Sequence, residues 1–210
     1  DVPSVGATIN CMISGVLAKG TTRILNAARE PEIVNVAEFL ISMGAKIIGA
    51  GTGTIEIQGV DKLGDGEVTV IPDRIEAGTY IIIGALCGNM LKVDNLIPDH
   101  IDALLSKLEE MGIELEVGAD YVIVSKKDKY IATNIKTAVF PGFATDLQQQ
   151  FTVLQTQATG KSKITETIYE NRFMHIPYLR ELGANITVKI QTATIIGPTK
   201  LKGAEVVATD

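Results

Sequence analysis

Residues 31–48 read PEIVNVAEFLISMGAKII, a helical pattern that ends at a glycine and passes directly into a short β pattern. Ile33, Ala37 and Leu40 recur at three- and four-residue spacing, which places apolar side chains on one helix face. Gly44 follows, where glycine readily adopts the left-handed conformation that closes a helix. The same pattern recurs twice, in PDHIDALLSKLEEMGIELEV (98–117) and NRFMHIPYLRELGANITV (171–188). In the last of these, Pro177 predicts a shifted helix start or a kink.

The three segments belong to a larger α/β repeat of about 70 residues. A second helical pattern precedes each segment and ends near a glycine: Gly20, Gly88 and Gly160. The strands TTRILN, NMLKVDN and KSKITET follow these glycines, and each copy closes with a β pattern: TIEIQGV, YVIVSKK or ATIIGPT. The unit reads helix, strand, helix, strand, strand, with a further strand leading to the next copy. We therefore predict an α/β protein with three repeats.

The two ends of the sequence predict a piece of a longer protein. ATD at 208–210 repeats ATD at 144–146, which opens the third copy, so a fourth copy is expected to begin there. The first helical pattern begins only a few residues from the first residue. We expect a truncated or proteolytic fragment.

Composition narrows the class of protein. With 46% hydrophobic and 21% charged residues, the sequence is typical of a soluble globular protein. A net charge of −6 argues against a broad nucleic-acid surface, and the sequence has no apolar run of transmembrane length. Cys11 and Cys87 lie in apolar helical patterns without zinc-binding spacing, so we expect both to be buried and no metal site. A cytoplasmic protein is expected.

The first chemical motif is PSVGAT at 3–8, at a predicted helix start. Helix N-termini present unpaired N–H groups and a positive dipole end, which suit a phosphate or diphosphate. Ser4 could cap the helix or donate to a phosphate, and Gly6 would permit close approach.

Two further motifs place an aspartate at a helix start, PDRIEAGT at 72–79 and FATDLQQQF at 143–151. Asp73 and Asp146 could each cap the helix backbone. Either carboxylate could instead accept a proton from a substrate hydroxyl. Sequence alone leaves both interpretations open.

The fourth motif is ETIYENRFMH at 166–175, a charged junction between a strand and a helix. Arg172 could hold a carboxylate or phosphate in a forked contact, or could pair with Glu170 or another acid. A structural role is favoured for His175, because no Cys or Ser motif accompanies it. NAAREPEIV at 26–34 occupies the equivalent junction of the first copy.

Together these strings resemble the UDP-N-acetylglucosamine enolpyruvyl transferases (1-carboxyvinyltransferases) in order and spacing, over essentially the whole chain. The resemblance implies an inside-out α/β barrel, with helices inside and sheets outside, built of about 70-residue repeats. Residues 1–71 would be the last repeat of one domain, and residues 72–210 two repeats of the second.

The resemblance also implies an activity, the transfer of enolpyruvyl from phosphoenolpyruvate to the C3 hydroxyl of UDP-N-acetylglucosamine. This is the first committed step of peptidoglycan synthesis, which links the family to cell wall biogenesis, cell shape, cell division and the cell cycle. The implied partners are the two substrates and the missing segments of the same enzyme, with no cofactor, metal, nucleic acid or membrane.

The resemblance assigns roles residue by residue. Asp146 matches the carboxylate that binds the C3 hydroxyl and is proposed as proton acceptor. Ser4, Val5 and Gly6 match the segment that contacts the uridine diphosphate, and Ile168 matches a backbone contact to the nucleotide sugar.

Arg172 matches an arginine near the phosphoenolpyruvate end of the cleft. The family's loop cysteine would lie upstream of Asp1, and neither Cys11 nor Cys87 matches it. The family's N-terminal Lys-Asn pair and the arginines expected beyond Asp210 are also missing. We therefore expect the isolated chain to be inactive.

Two classes of alternative stay open. One is a shikimate-type enolpyruvyl transferase, a relative of the same fold. The other is a non-catalytic module that binds a nucleotide sugar or serves as a scaffold. An RNA-processing relative is disfavoured by the net charge of −6.

Overall fold

The computed structural model describes residues 3–207. These form two compact units. The first comprises the described residues up to Ile71 together with Val139–Pro141, and the second comprises Pro72–Ala138 and the residues from Gly142 onward. The ATD string at 208–210, which predicts a fourth copy, lies outside the described residues.

The first unit packs two helices on one antiparallel sheet. Its elements are α1 (Val5–Gly15), β1 (Thr21–Leu25), α2 (Pro31–Ser42), β2 (Lys46–Ile48) and β3 (Thr54–Gln58). The strand order is β1-β3-β2. Met12 and Ile33 from the helices and Ile55 and Ile57 from the central strand are fully buried, so the core lies between the helices and the sheet.

The second unit contains two sheets. Its first part comprises α3 (Arg74–Cys87), β4 (Leu91–Asp94), a 3₁₀ helix (Pro98–Ile101), α4 (Asp102–Glu110), β5 (Leu115–Val117) and β6 (Tyr121–Val124). Its second part comprises β7 (Tyr130–Ile131), β8 (Ile135–Lys136), a 3₁₀ helix (Thr145–Leu147), α5 (Gln148–Thr156), β9 (Ala158–Thr165), α6 (Ile176–Glu181), β10 (Asn185–Lys189) and β11 (Thr192–Gly197). The strand orders are β4-β6-β5 and β10-β11-β9-β7, and β8 also pairs with β9.

One apolar core joins the helices of the second unit to its sheets. Phe151 of α5 is fully buried, and its ring meets Phe143 edge-on at a centroid distance of 5.1 Å. Ile81 of α3 and Leu104 of α4 lie in the same cluster. This packing anchors α5, and with it the segment that contains Asp146.

The three glycines predicted to close the second helix of each copy do so. Gly44, Gly112 and Gly183 have φ values of +101°, +81° and +101°. After Gly44, the N–H of Ala45 donates to Leu40 O at 3.0 Å, and the other two glycines are followed by equivalent bonds. The left-handed glycine thus lets the chain turn from helix to strand while it satisfies the last helical carbonyls.

Several local predictions need correction. Cys11 and Cys87 are exposed, because α1 buries Thr8, Met12 and Gly15 instead and Cys87 is the last residue of α3. The strand of the third copy begins at Ala158, ahead of Gly160. Among the described residues, 59–73 form no strand, so the connecting strand predicted after the first copy is absent there.

The start of the third copy's second helix follows the prediction made from proline. α6 begins only at Ile176, with Pro177 in its first turn, where the missing N–H removes no helical hydrogen bond. Residues 167–175 therefore form a turn-rich segment before α6, and this segment carries Ile168 and Arg172. Among residues 3–207, no helix has the length and apolar character needed to cross a membrane.

Candidate functional site

Asp146 lies in the 3₁₀ helix that leads into α5. Its side chain is 52% exposed, and its Oδ1 accepts a hydrogen bond from Arg172 Nη2 at 2.6 Å. Neither the 3₁₀ helix nor α5 has a side-chain cap. The capping interpretation is therefore wrong for Asp146, because its carboxylate is turned to the guanidinium of Arg172.

Asp73 behaves differently and confirms the capping interpretation for its own motif. Its Oδ1 accepts from the N–H groups of Ile75 at 2.7 Å and Glu76 at 3.2 Å, at the start of α3. Two aspartates at similar sequence positions therefore have different roles in the structure.

Arg172 is held by three contacts from the segment around Asp146. Its Nη1 donates to Thr145 Oγ1 at 2.9 Å, and its Nη2 donates to Asp146. With the Gln149 amide turned so that its oxygen faces the guanidinium, Nε donates to it at 3.1 Å. The Tyr169 ring lies 5.0 Å from Cζ, within cation–π range. The acid that pairs with Arg172 is thus Asp146 rather than Glu170.

Glu166 is a buried carboxylate behind this pair, only 1% exposed. Its Oε1 accepts from Thr137 Oγ1 at 2.8 Å, Ile168 N at 2.8 Å and Tyr169 N at 3.2 Å. Its Oε2 accepts from Thr145 Oγ1 at 2.8 Å. Sequence reasoning assigned no role to Glu166 or Thr145. An acid near the end of a predicted strand, inside an otherwise specific motif, is the available signal for Glu166.

Ile168 lies in the same turn, half-buried. Because its N–H already donates to Glu166, the carbonyl oxygen is the group suited to a backbone contact with a ligand. The structure thus brings Asp146, Ile168 and Arg172 into one network within the second unit.

Ser4, Val5 and Gly6 belong to the first unit and form the start of α1. Ser4 Oγ accepts from Ala7 N at 3.3 Å, so Ser4 is the N-cap. Within the part of the chain that the structure describes, a Cβ built on Gly6 would meet nothing within 4 Å, so these residues leave the backbone there open to close approach. The first N–H groups of an α-helix have no helical acceptors, which makes this helix start chemically suited to an anion.

Burial and the nearby Arg172 guanidinium lower the pKa of His175 from its ordinary 6.5 to about 4. Its ring is therefore neutral near pH 7, and among residues 3–207 no hydrogen-bond partner is present for its buried Nε2. A neutral, half-buried imidazole whose Nε2 has no partner among these residues favours the structural role for His175. Within residues 3–207, no cluster of three His, Cys, Asp or Glu side chains could hold a metal ion.

The depressed pKa predicts a pH-dependent stability. The unfolded chain binds the His175 proton near pH 6.5, whereas the folded protein resists it until about pH 4. Because the unfolded state binds more protons in this window, the free energy of unfolding should fall by roughly 2–3 kcal/mol as pH drops through it. Urea unfolding of the full-length protein and of His175→Phe should diverge over this range. Parallel curves for the protein and His175→Phe would contradict the assignment.

Comparison with known families identifies the chain. The family model for EPSP synthase (3-phosphoshikimate 1-carboxyvinyltransferase) matches residues 1–210. The chain belongs to the EPSP synthase family. Its fold is accordingly the enolpyruvyl transferase fold of this family, with mixed α/β content.

Within the EPSP synthase family, similar proteins carry the name UDP-N-acetylglucosamine 1-carboxyvinyltransferase. The protein of that name numbered 2 from Geobacillus kaustophilus is 53% identical over 210 residues, 100% of this chain and 49% of the relative. The one numbered 1 from Staphylococcus haemolyticus is 51% identical over 213 residues, 100% of this chain and 50% of the relative. The chain thus spans about half the length of the curated relatives it matches. The resemblance drawn from the five strings is confirmed.

Two solved structures have a similar fold. The enolpyruvyl transferase NikO from Streptomyces tendae has a TM-score of 0.85 at 28% identity, covering 94% of this chain and 47% of that chain. EPSP synthase from Acinetobacter baumannii has a TM-score of 0.50 at 17% identity, covering 96% of this chain and 47% of that chain, which shows the fold alone.

Proposed function

We propose that the protein containing this chain transfers enolpyruvyl from phosphoenolpyruvate to the C3 hydroxyl of UDP-N-acetylglucosamine and releases phosphate. The observation that carries the proposal is the half-exposed Asp146 carboxylate, fixed 2.6 Å from the Arg172 guanidinium. A base and a cation side by side suit a reaction in which a hydroxyl loses a proton next to an anionic substrate.

Asp146 accepts the proton of the C3 hydroxyl while the hydroxyl oxygen adds to the double bond of phosphoenolpyruvate. The bond formed joins this oxygen to the carbon that carries the phosphate, and the methylene carbon takes up a proton from a separate acid. Loss of phosphate, with loss of a proton from that methyl group, restores the double bond. Arg172 stabilises the negative charge of phosphate or carboxylate at this end of the site.

The remaining predicted residues bind the nucleotide sugar in this proposal. Ser4, Val5 and Gly6 contact the uridine diphosphate, which the open helix start at α1 supports. Ile168 contributes a backbone contact, for which its carbonyl oxygen is suited because its N–H donates to Glu166.

The domain organisation is part of the proposal. We assign residues 1–71 to the last repeat of one domain and residues 72–210 to two repeats of the second domain. The fold would be an inside-out α/β barrel, of which this chain contains three repeats. Two observations support this assignment. The division between the two compact units falls at Ile71, and strands β1-β3-β2, β4-β6-β5 and β9-β11-β10 follow the same order in their sheets.

The reaction would be the first committed step of peptidoglycan synthesis, carried out in the cytoplasm and required for cell shape and division. We infer UDP-N-acetylglucosamine rather than shikimate 3-phosphate as the substrate, because relatives that are 53% and 51% identical carry the name UDP-N-acetylglucosamine 1-carboxyvinyltransferase.

A phosphate-release assay tests the proposed function. The full-length protein, at the length of its relatives, should release phosphate from phosphoenolpyruvate when UDP-N-acetylglucosamine is added. The 210-residue chain alone should release none, because it spans about half of each relative. Release that depends on shikimate 3-phosphate instead, or none with either acceptor, would contradict the proposal.

A further inference from the structure

The buried Glu166 carboxylate is the acceptor in all four of the hydrogen bonds described above. An ionised carboxylate can only accept hydrogen bonds. Its four donors here are neutral, two threonine hydroxyls and two backbone N–H groups. Such full satisfaction is what allows a carboxylate to be buried, because an unpaired buried charge is strongly unfavourable.

The Thr145 hydroxyl links Glu166 to Arg172, because it donates to one and accepts from the other. Since its hydrogen points to Glu166 Oε2 at 2.8 Å, its lone pairs face outward and accept from Arg172 Nη1 at 2.9 Å. The guanidinium is planar and rigid, so a fixed Nη1 also fixes the direction in which Nη2 points. In this structure Nη2 points at Asp146 Oδ1.

The second oxygen of Glu166 fixes the other side of the same guanidinium. Oε1 holds the backbone N–H groups of Ile168 and Tyr169. The Tyr169 ring lies 5.0 Å from Arg172 Cζ. One buried carboxylate therefore organises both the hydroxyl that receives Arg172 and the turn whose ring faces it.

We propose that Glu166 is a positioning residue for enolpyruvyl transfer, acting through the Thr145 hydroxyl to hold the Arg172 guanidinium beside the Asp146 carboxylate. This inference rests on the proposed function, in which Asp146 is the proton acceptor. Glu166 does not itself touch substrate; its effect passes through Thr145 and Arg172.

Substitutions at Glu166 and Thr145 test the hydrogen-bond relay from Glu166 through Thr145 to Arg172 separately from the rest of the fold. Glu166→Gln keeps one oxygen for the turn but places an NH₂ donor in the other position, which reverses the hydrogen bond to Thr145. Thr145→Val removes the relay hydroxyl at nearly constant size, and Thr145→Ser retains it. Thr152→Val is the matched control, because the buried Thr152 hydroxyl donates within its own helix, to Gln148 O at 2.8 Å.

In the full-length enzyme, Glu166→Gln and Thr145→Val should each lower kcat roughly 10- to 100-fold, the range expected when a reacting group is slightly misplaced. The KM for UDP-N-acetylglucosamine should change much less, because the turn at Ile168 keeps its hydrogen bonds. Thr145→Ser should restore most of the activity, and Thr152→Val should match the parent enzyme. In an Arg172→Met background, Glu166→Gln should have almost no additional effect, because the guanidinium that it orients is gone.

The outcomes separate cleanly. A parent enzyme without turnover overturns the proposed function and this inference with it. An active parent with normal kcat in Glu166→Gln and Thr145→Val overturns only the inference, as does a Glu166→Gln effect that persists fully in Arg172→Met. Thermal unfolding identifies any variant that fails to fold. If Glu166→Gln fails to fold, the inference is tested by the kcat of Thr145→Val compared with that of Thr145→Ser.

Discussion

Asp146→Asn in the full-length enzyme should lower kcat by about 10³-fold while the KM of each substrate changes little. The amide keeps the size of the carboxylate and can still accept from Arg172 Nη2. It cannot act as a base at neutral pH, and general base catalysis contributes about 10²–10⁴-fold. Initial rates of phosphate release, with each substrate varied in turn, measure the effect.

The matched control is Asp73→Asn, an aspartate at another helix start of the same unit. Asp73 caps α3, and asparagine is a comparably good N-cap. Its kcat should therefore stay close to that of the parent enzyme. Near-normal turnover of Asp146→Asn would show that the Asp146 carboxylate is not the proton acceptor.

Arg172→Lys should lower kcat/KM for phosphoenolpyruvate by about 100-fold although the positive charge is retained. Arg172 uses three different nitrogens for Thr145, Asp146 and the Gln149 amide. A lysine ammonium is a compact point charge that cannot reproduce this planar fork. Kinetics with phosphoenolpyruvate as the varied substrate test this expectation.

Arg180→Lys provides the comparison for Arg172→Lys. Arg180 Nε donates to the Ile186 carbonyl at 2.8 Å within the second unit, a contact between α6 and β10. This substitution should affect stability and leave kcat/KM nearly unchanged. Equal losses in both variants would indicate a general effect on the fold rather than a role for Arg172 at the substrate.

Local sequence predicts the features of the fold that depend on neighbouring residues. Gly44, Gly112 and Gly183 end their helices because a left-handed residue is needed there, and Pro177 lies in the first turn of α6 because proline lacks an N–H. Burial of Cys11 was predicted wrongly, because the helical pattern is apolar on more sides than the core covers.

The candidate site depends on contacts between distant segments, which one sequence does not reveal. Asp146 looks like a cap until Arg172, 26 positions along the chain, provides its partner. The donors to Glu166 come from three segments, around Thr137, Thr145 and Ile168. The family resemblance predicts Asp146 and Arg172 as site residues. The Glu166 carboxylate, which is linked to both through Thr145 and Arg172, is revealed only by the folded chain.

The most direct measurement is a crystal structure of the full-length enzyme with UDP-N-acetylglucosamine bound. In that structure the C3 hydroxyl oxygen should lie about 2.6–3.2 Å from a carboxylate oxygen of Asp146, the reach required of a general base. Arg172 should lie on the side where phosphoenolpyruvate enters. A bound sugar whose C3 hydroxyl faces another residue, with Asp146 still paired only to Arg172, would contradict the assignment of Asp146 as the proton acceptor.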